Sequence, residues 1–285
     1  MITEKIFRTK LGEIHYWISS PMDYGRLTLV FLPGLTADHR LFDKQIAFFQ
    51  PHYNVFVWDA PGHASSYPFE LSFTLEDKAF WLNEILGSEG IKDFIIVGQS
   101  MGGYVGQAYA ELYPDKPRGF VSIDSAPLQR HYMTKAELWM LKHTEGMYRA
   151  YPWKALVRDG ANGCAETAYG RKLMTDMMMV YDGDPERYVK LVSHGYRILA
   201  DAIEKNLPYE IKCPAILICG EKDKAGSAKA YNKKWAKRTN LPLHWVANAG
   251  HNANTDDPDR VNLIIDKFVR EIAALGVCFA STCRG

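Results

Sequence analysis

Five short, almost unbroken apolar runs set the narrowest limit on how this chain can fold: Leu27 to Leu32, Val55 to Trp58, Phe94 to Val97, Phe120 to Ile123 and Ala215 to Cys219. A strand with one face in water alternates apolar with polar residues, whereas a run without alternation suits a strand covered by helices on both faces. Helical patterns fall between the runs, over about Leu75 to Leu86 and Met101 to Leu112. A third begins near Asp257-Pro258, where Asp can cap and Pro is tolerated in the first turn. It places Val261, Ile264, Ile265, Phe268, Val269 and Ile272 on one stripe. This alternation predicts a doubly wound, mostly parallel α/β sheet, with ligands bound beyond the carboxyl ends of its strands. The opening segments EKIFRT and EIHYWIS, on either side of Gly12, predict an antiparallel hairpin ahead of it.

Between Pro127 and about Pro208 the alternation stops, and helix-like segments rich in Met, Tyr and Trp take over. The expected organisation is therefore a core over residues 1–126, an inserted helical cap over 127–208 and the rest of the core over 209–285. Such a length suits one large α/β domain with an insertion. Aromatic and Met residues at helical spacing are more often core than pocket. Trp139, Trp153 and Met178 are the residues singled out as possible pocket lining, because Met and aromatic side chains adapt to irregular apolar ligands.

Composition is that of an ordinary folded protein, with 47% apolar and 24% charged residues, and a net charge of +1 argues against a dedicated nucleic-acid surface. No run approaches the roughly 18 apolar residues of a membrane helix. The first residues lack the apolar centre of a signal peptide, so the expected setting is cytoplasmic, with no membrane partner. Five cysteines, odd in number and mostly far apart, do not form a secreted disulfide framework or a CxxC metal clip. Cys219 reads as a buried, inert thiol, and Cys278 and Cys283 fall in a tail, Val277 to Gly285, expected to be poorly structured. With no metal cluster and no nucleotide-binding glycine pattern, no cofactor is expected.

The strongest local signal is Phe94-Ile95-Ile96-Val97-Gly98-Gln99-Ser100-Met101-Gly102-Gly103, a strand that runs through G-x-S-x-G into a helix. A nucleophile on so sharp a turn needs small neighbours, and Gly98 and Gly102 supply them. The turn presents the Ser100 hydroxyl at the top of the sheet, and the helix behind it points its first amides at any negative charge that develops.

A serine hydroxyl needs a base within hydrogen-bond reach and a third group to orient that base. Of nine histidines, His251 is the leading candidate, because Ala249-Gly250-His251-Asn252-Ala253 follows the expected strand Leu243 to Ala247 and precedes the last helix. His63, in the turn Asp59-Ala60-Pro61-Gly62-His63, reads as structural, and His131 and His143 belong to the cap, where they could touch substrate. For the acid, Ile216-Leu217-Ile218-Cys219-Gly220-Glu221-Lys222-Asp223 offers a buried strand ending in a loop with two carboxylates. Asp223 is preferred to Glu221, and Asp124, at the end of the run Phe120 to Ile123, is the alternative. The turn Pro33-Gly34-Leu35-Thr36 directly after a strand makes the Leu35 and Met101 amides the expected oxyanion hole.

With these motifs in the order Ser, Asp, His, the chain resembles the α/β-hydrolase family, in the group of capped, esterase-like members. The resemblance extends over nearly the whole chain, through Leu32-Pro33-Gly34, Trp58-Asp59-Ala60-Pro61-Gly62-His63, the Gly98 to Gly102 elbow, Gly220-Glu221-Lys222-Asp223 and Gly250-His251. One departure is Pro33-Gly34, where many members have His-Gly before the oxyanion residue. Members that open epoxides or remove halide generally carry Asp as nucleophile. Ser100 therefore implies acyl chemistry on a small ester, lactone or thioester through an acyl-serine. The alternatives are a carbon–carbon bond hydrolase with the same triad and a non-catalytic small-molecule receptor of this fold.

Overall fold

The computed structural model describes residues 1–282, with side chains as far as Ala274. Its strands are β1 (Ile2–Arg8), β2 (Glu13–Ser19), β3 (Thr28–Leu32), β4 (Asn54–Trp58), β5 (Phe94–Gln99), β6 (Gly119–Ile123), β7 (Ala215–Gly220) and β8 (Leu243–Val246). They form one sheet in the order β1-β2-β4-β3-β5-β6-β7-β8. β1 pairs antiparallel with β2 and β2 antiparallel with β4, and every other pairing is parallel. The five apolar runs are the five central strands. Every residue of β3 to β7 is buried. Alternate residues feed opposite sides: Leu29 and Phe31 join one apolar cluster, Val30 and Leu32 the other.

Helices α1 (Asp43–Phe49), α2 (Leu75–Ser88) and α3 (Met101–Leu112) cover the first part of the sheet, and α9 (Ala228–Thr239), the short α10 (Ala253–Asp256) and α11 (Pro258–Thr282) cover the second. Asp257 caps α11 by accepting from the Arg260 amide at 3.0 Å. All six residues of the expected stripe, Val261 to Ile272, are buried. At about 1.5–3 kcal/mol for each large side chain taken out of water, that stripe outweighs any helix propensity, which is worth only tenths per residue. The helix extends to Thr282, past the start of the tail expected from Val277. Once a helix is nucleated, each further residue adds a hydrogen bond, and the apolar Val277 to Ala280 carries no breaker. Cys278 lies beyond the described side chains and Cys283 outside the described residues.

Between β6 and β7 the chain is helical throughout, as α4 (Lys135–Lys142), α5 (Glu145–Ala150), α6 (Trp153–Cys164), α7 (Ala168–Met178) and α8 (Pro185–Glu204). This is an inserted helical segment of the kind typical of a cap, and it is called the cap below. Its longest helix, α8, joins it to the core on both sides: Leu191 and Val192 pack with β3 residues of one cluster, and Ile198 to Ile203 with the other. Among the described residues no helix is long and apolar enough to cross a membrane.

Candidate active site

β5 ends at Gln99, and Ser100 stands between it and α3 with φ 50° and ψ −117°. That positive φ is uncommon for a residue with a side chain and is worth on the order of 1–3 kcal/mol of strain. The surrounding glycines make it possible. A Cβ on Gly102 would fall on the Leu32 carbonyl, and one on Gly98 would meet the Gly102 and Gly103 backbone at 2.5 Å. The Ser100 amide still donates to the Ile123 carbonyl at 2.9 Å, and the Ser125 hydroxyl donates to the Ser100 carbonyl at 2.6 Å.

His251 Nε2 stands 2.9 Å from Ser100 Oγ, and its Nδ1 stands 3.1 Å from Asp223 Oδ1. With the proton on Nδ1 and donated to Asp223, Nε2 is left to accept from the serine hydroxyl. Asp223 is fixed in turn by the Ala225 amide, which donates to the same Oδ1 at 2.8 Å. Burial opposes a charge on His251, but its hydrogen bond to Asp223 and the charge of that carboxylate outweigh burial and raise the imidazole above its ordinary value. Of the acids considered from sequence, Asp223 is the one in contact with the ring. Asp124 is buried behind it, accepting from the Gly220 amide at 2.7 Å and the Ala253 amide at 3.0 Å. Burial and then the charge of Asp223 push its carboxyl up to about 8. Glu221 is exposed.

The turn after β3 reaches the same point, since a Cβ on Gly34 would lie 3.1 Å from Ser100 Cβ. Among the described residues, neither the Leu35 nor the Met101 amide has a backbone acceptor outside its own element. Thr36 holds the turn with φ 64°, and its hydroxyl donates to the Leu35 carbonyl at 2.6 Å.

Two side chains that the sequence reading passed over hold the histidine loop. Gln99 Nε2 donates to the His251 carbonyl at 2.8 Å and to Asn252 Oδ1 at 3.1 Å. Asp256 accepts from the Gly250 amide at 2.7 Å, and from Glu166 and Thr167 amides of the cap at 2.9 and 2.8 Å. The Asn252 amide adds a bond to the Cys164 carbonyl at 2.8 Å. Gln99 was visible as the variable residue inside G-x-S-x-G. Asp256 had no local signal, because its cap partners lie about ninety residues away.

The singled-out cap residues scatter. Trp139 is 64% exposed and stacks on His143 at 4.4 Å, which places it on the outer surface of α4. Met178 is wholly buried, with its Sδ and Cε 3.0 Å from where a Gly160 Cβ would stand, and so belongs to core packing. Trp153 is half-buried against Tyr188 and donates from Nε1 to Asp182 at 2.7 Å. An apolar stripe reports that a helix face is covered, not by what. His131 and His143, the cap histidines read as able to touch substrate, are exposed, whereas His194 on α8 is buried. On α8 the bare Gly195 lets the Leu35 side chain approach. Beside it Tyr196 stacks on Tyr148 with hydroxyls 3.5 Å apart, and the Tyr188 phenol faces Thr36. His63 is buried, with Nδ1 3.1 Å from the Pro61 carbonyl.

Two groups of metal-type donors occur among the described residues, Asp38-His39-Asp59 and Asp124-Cys219-Asp223. In the first, the Arg40 guanidinium spans both Asp38 oxygens at 2.9 and 2.6 Å. In the second, both Asp124 oxygens already accept backbone amides.

The sequence signature of the alpha/beta hydrolase family matches residues 29–262. The chain belongs to that family. This α/β hydrolase is 23% identical over 280 residues to the 2-(acetamidomethylene)succinate hydrolase of Mesorhizobium japonicum, covering 89% of this chain and 96% of the relative. A thermophilic esterase from Thermogutta terrifontis superposes with a TM-score of 0.75 at 19% identity, over 95% of this chain and 99% of the esterase. The enol-lactonase from Burkholderia xenovorans does so with a TM-score of 0.72 at 21% identity, over 93% and 100%. At these identities the two structural likenesses speak for the fold alone.

Proposed function

We propose that this α/β hydrolase is a serine esterase-type enzyme that cleaves a small carboxylic ester, lactone or thioester through an acyl-Ser100 intermediate. The observation that carries the reading is the continuous line from Ser100 Oγ through His251 to Asp223, with 2.9 and 3.1 Å contacts. His251 Nε2 takes the hydroxyl proton as Ser100 attacks the acyl carbon, and Asp223 stabilises the imidazolium that forms. The oxyanion develops between the Leu35 and Met101 amides, reinforced by the N-terminus of α3. His251 then gives its proton to the leaving oxygen or sulfur, and afterwards activates the water that frees Ser100.

The relatives named above support a hydrolytic reaction and leave the substrate open. We read Tyr148, Tyr188 and Tyr196 as the roof over the acyl group. Their phenols are large apolar surfaces with a hydroxyl at one edge, suited to an acyl chain carrying a polar end. A fluorophosphonate probe tests the assignment: it should add once, at Ser100, and Ser100→Ala should lose labelling and on the order of 10³-fold or more of turnover. An adduct on another residue would end this reading. A panel of 4-nitrophenyl esters, γ-lactones, acyl thioesters and vinylogous diketones would separate acyl transfer from carbon–carbon cleavage.

A further inference from the structure

Asp124 is a buried carboxyl that the three-residue line does not use. It occupies the first position after β6 with φ 50°, an uncommon conformation for a residue with a side chain, and is 1% exposed. One of its oxygens accepts from Gly220, where the acid loop leaves β7, and the other from Ala253, where α10 leaves the histidine loop. The two loops that must present Asp223 and His251 to each other are thus fastened to a single side chain from a third strand. Asp124, Cys219 and Asp223 also bring one donor atom each to within 4.8 Å of one another. Asp223 is 5% exposed, and its Oδ2 has no hydrogen-bond partner among the described residues. Two carboxylates so close and out of water repel strongly, and a single imidazole can balance only one of them.

We propose that Asp124 is a positioning residue that ties the acid loop to the histidine loop and, as the neutral member of a buried carboxyl pair, keeps Asp223 the single anion facing His251. The inference rests on the serine-hydrolase reading above. The groups facing the pair are His251 from its loop, Cys219 on β7, Cys164 from the cap and Tyr104 from α3. None of these carries a positive charge at neutral pH apart from His251 when protonated. The upward displacement of the Asp124 carboxyl agrees with the neutral assignment. When Asp124 ionises on the alkaline side, His251 is left as the free base beside two carboxylates instead of one, and the added negative charge makes the imidazole more basic, so kcat changes with that ionisation.

The test compares full-length wild type, Asp124→Asn, Asp124→Ala and Asp223→Asn, using 4-nitrophenyl acetate turnover and fluorophosphonate labelling of Ser100 from pH 6 to 10. Asn is uncharged and keeps one acceptor oxygen, so it releases one of the two amides and holds the other, and Asp124→Asn should lose only about 3- to 10-fold in kcat with KM unchanged, against roughly 10³-fold or more for Asp223→Asn. The wild-type profile should bend on the alkaline side, and the Asp124→Asn profile should lack that bend. Asp124→Ala, which releases both amides, should lose more kcat than Asp124→Asn. Equal collapse of Asp124→Asn and Asp223→Asn, superimposable profiles, or an Asp124→Asn chain that does not fold would each overturn the proposal. If wild type neither turns over the ester nor labels at Ser100, the serine-hydrolase reading fails. The buried pair is then judged by urea unfolding alone. A neutral buried Asp124 makes the wild-type chain lose stability relative to Asp124→Asn as pH rises from about 4 to 8, since the unfolded carboxyl ionises first. A difference that stays flat overturns the pair as well.

Discussion

Lys78 sits on the buried face of α2, in register with Leu75, Ala79, Leu82 and Ile85, and is 1% exposed. Its ammonium lies 5.5 Å from the centre of the Phe73 ring, against whose face His194 packs at 4.5 Å. Burial alone moves its pKa, from the ordinary 10.5 to about 7, and no carboxylate counters it. Its charge also helps to hold His63 and His194 low, to about 3 and about 4, after burial itself. In the unfolded chain Lys78 stays protonated up to its ordinary value, so between about pH 7 and 10.5 the folded state binds fewer protons. Stability therefore rises with pH through that window. At about 1.4 kcal/mol per unit, the buried amine costs the fold about 4 kcal/mol at pH 7 and about 2 kcal/mol at pH 9. Lys78→Met keeps the length and removes the charge. It should be more stable than wild type by up to about 4 kcal/mol at pH 7, with the advantage shrinking toward pH 9. Equilibrium urea unfolding at pH 6, 7, 8 and 9 measures this directly. A Lys78→Met variant no more stable than wild type at pH 7, or a difference independent of pH, would show that Lys78 has a partner the argument omits.

Asp256→Ala strands the Gly250, Glu166 and Thr167 amides in partly buried sites, and at about 1–3 kcal/mol for each unpaired donor it should destabilise the fold by about 3 kcal/mol or more in urea unfolding. Trp139→Ala, on an exposed face, should change stability by less than about 0.5 kcal/mol and leave the ranking of acyl chain lengths intact. Tyr196→Ala, beside the Leu35 turn, should reorder that ranking in kcat/KM measurements across the 4-nitrophenyl ester series.

The parts of the fold that were legible in the sequence are those where one local pattern admits one solution. Continuous apolar runs mark strands covered on both faces, and β3 to β7 are those strands. Ser100 and Asp223 could be named because each sits in a glycine loop at the end of such a strand, and His251 because its glycine loop follows the half-buried β8, since loops at the carboxyl ends of parallel strands converge. Asp124 was visible for the same reason, and only the distances separate it from Asp223. Burial was not legible in the cap: Trp139 is exposed and Met178 buried, and an aromatic or Met at helical spacing does not distinguish the two. Lys78 did leave a trace, a charged residue at the i+3 position of an apolar stripe, and the helical reading of Leu75 to Leu86 overlooked it. Asp256 was hidden beside Asp257, whose capping of α11 already explained an acid there.

The bonds from Asp256 to Glu166 and Thr167, and from Asn252 to the Cys164 carbonyl, join the turn between α6 and α7 to the residues flanking His251. The insertion is therefore not an independent module. A chimera that exchanged residues 127–208 for another member's insertion would take the Glu166 and Thr167 partners from Asp256 and leave the histidine loop held from the core alone, by Gln99, Asp124 and the Asp256 bond to Gly250. Recombination at those two junctions thus has a compatibility requirement in the third segment of the chain. Cap and position 256 therefore have to be exchanged together, whereas single substitutions on α5 and α8 leave that joint in place.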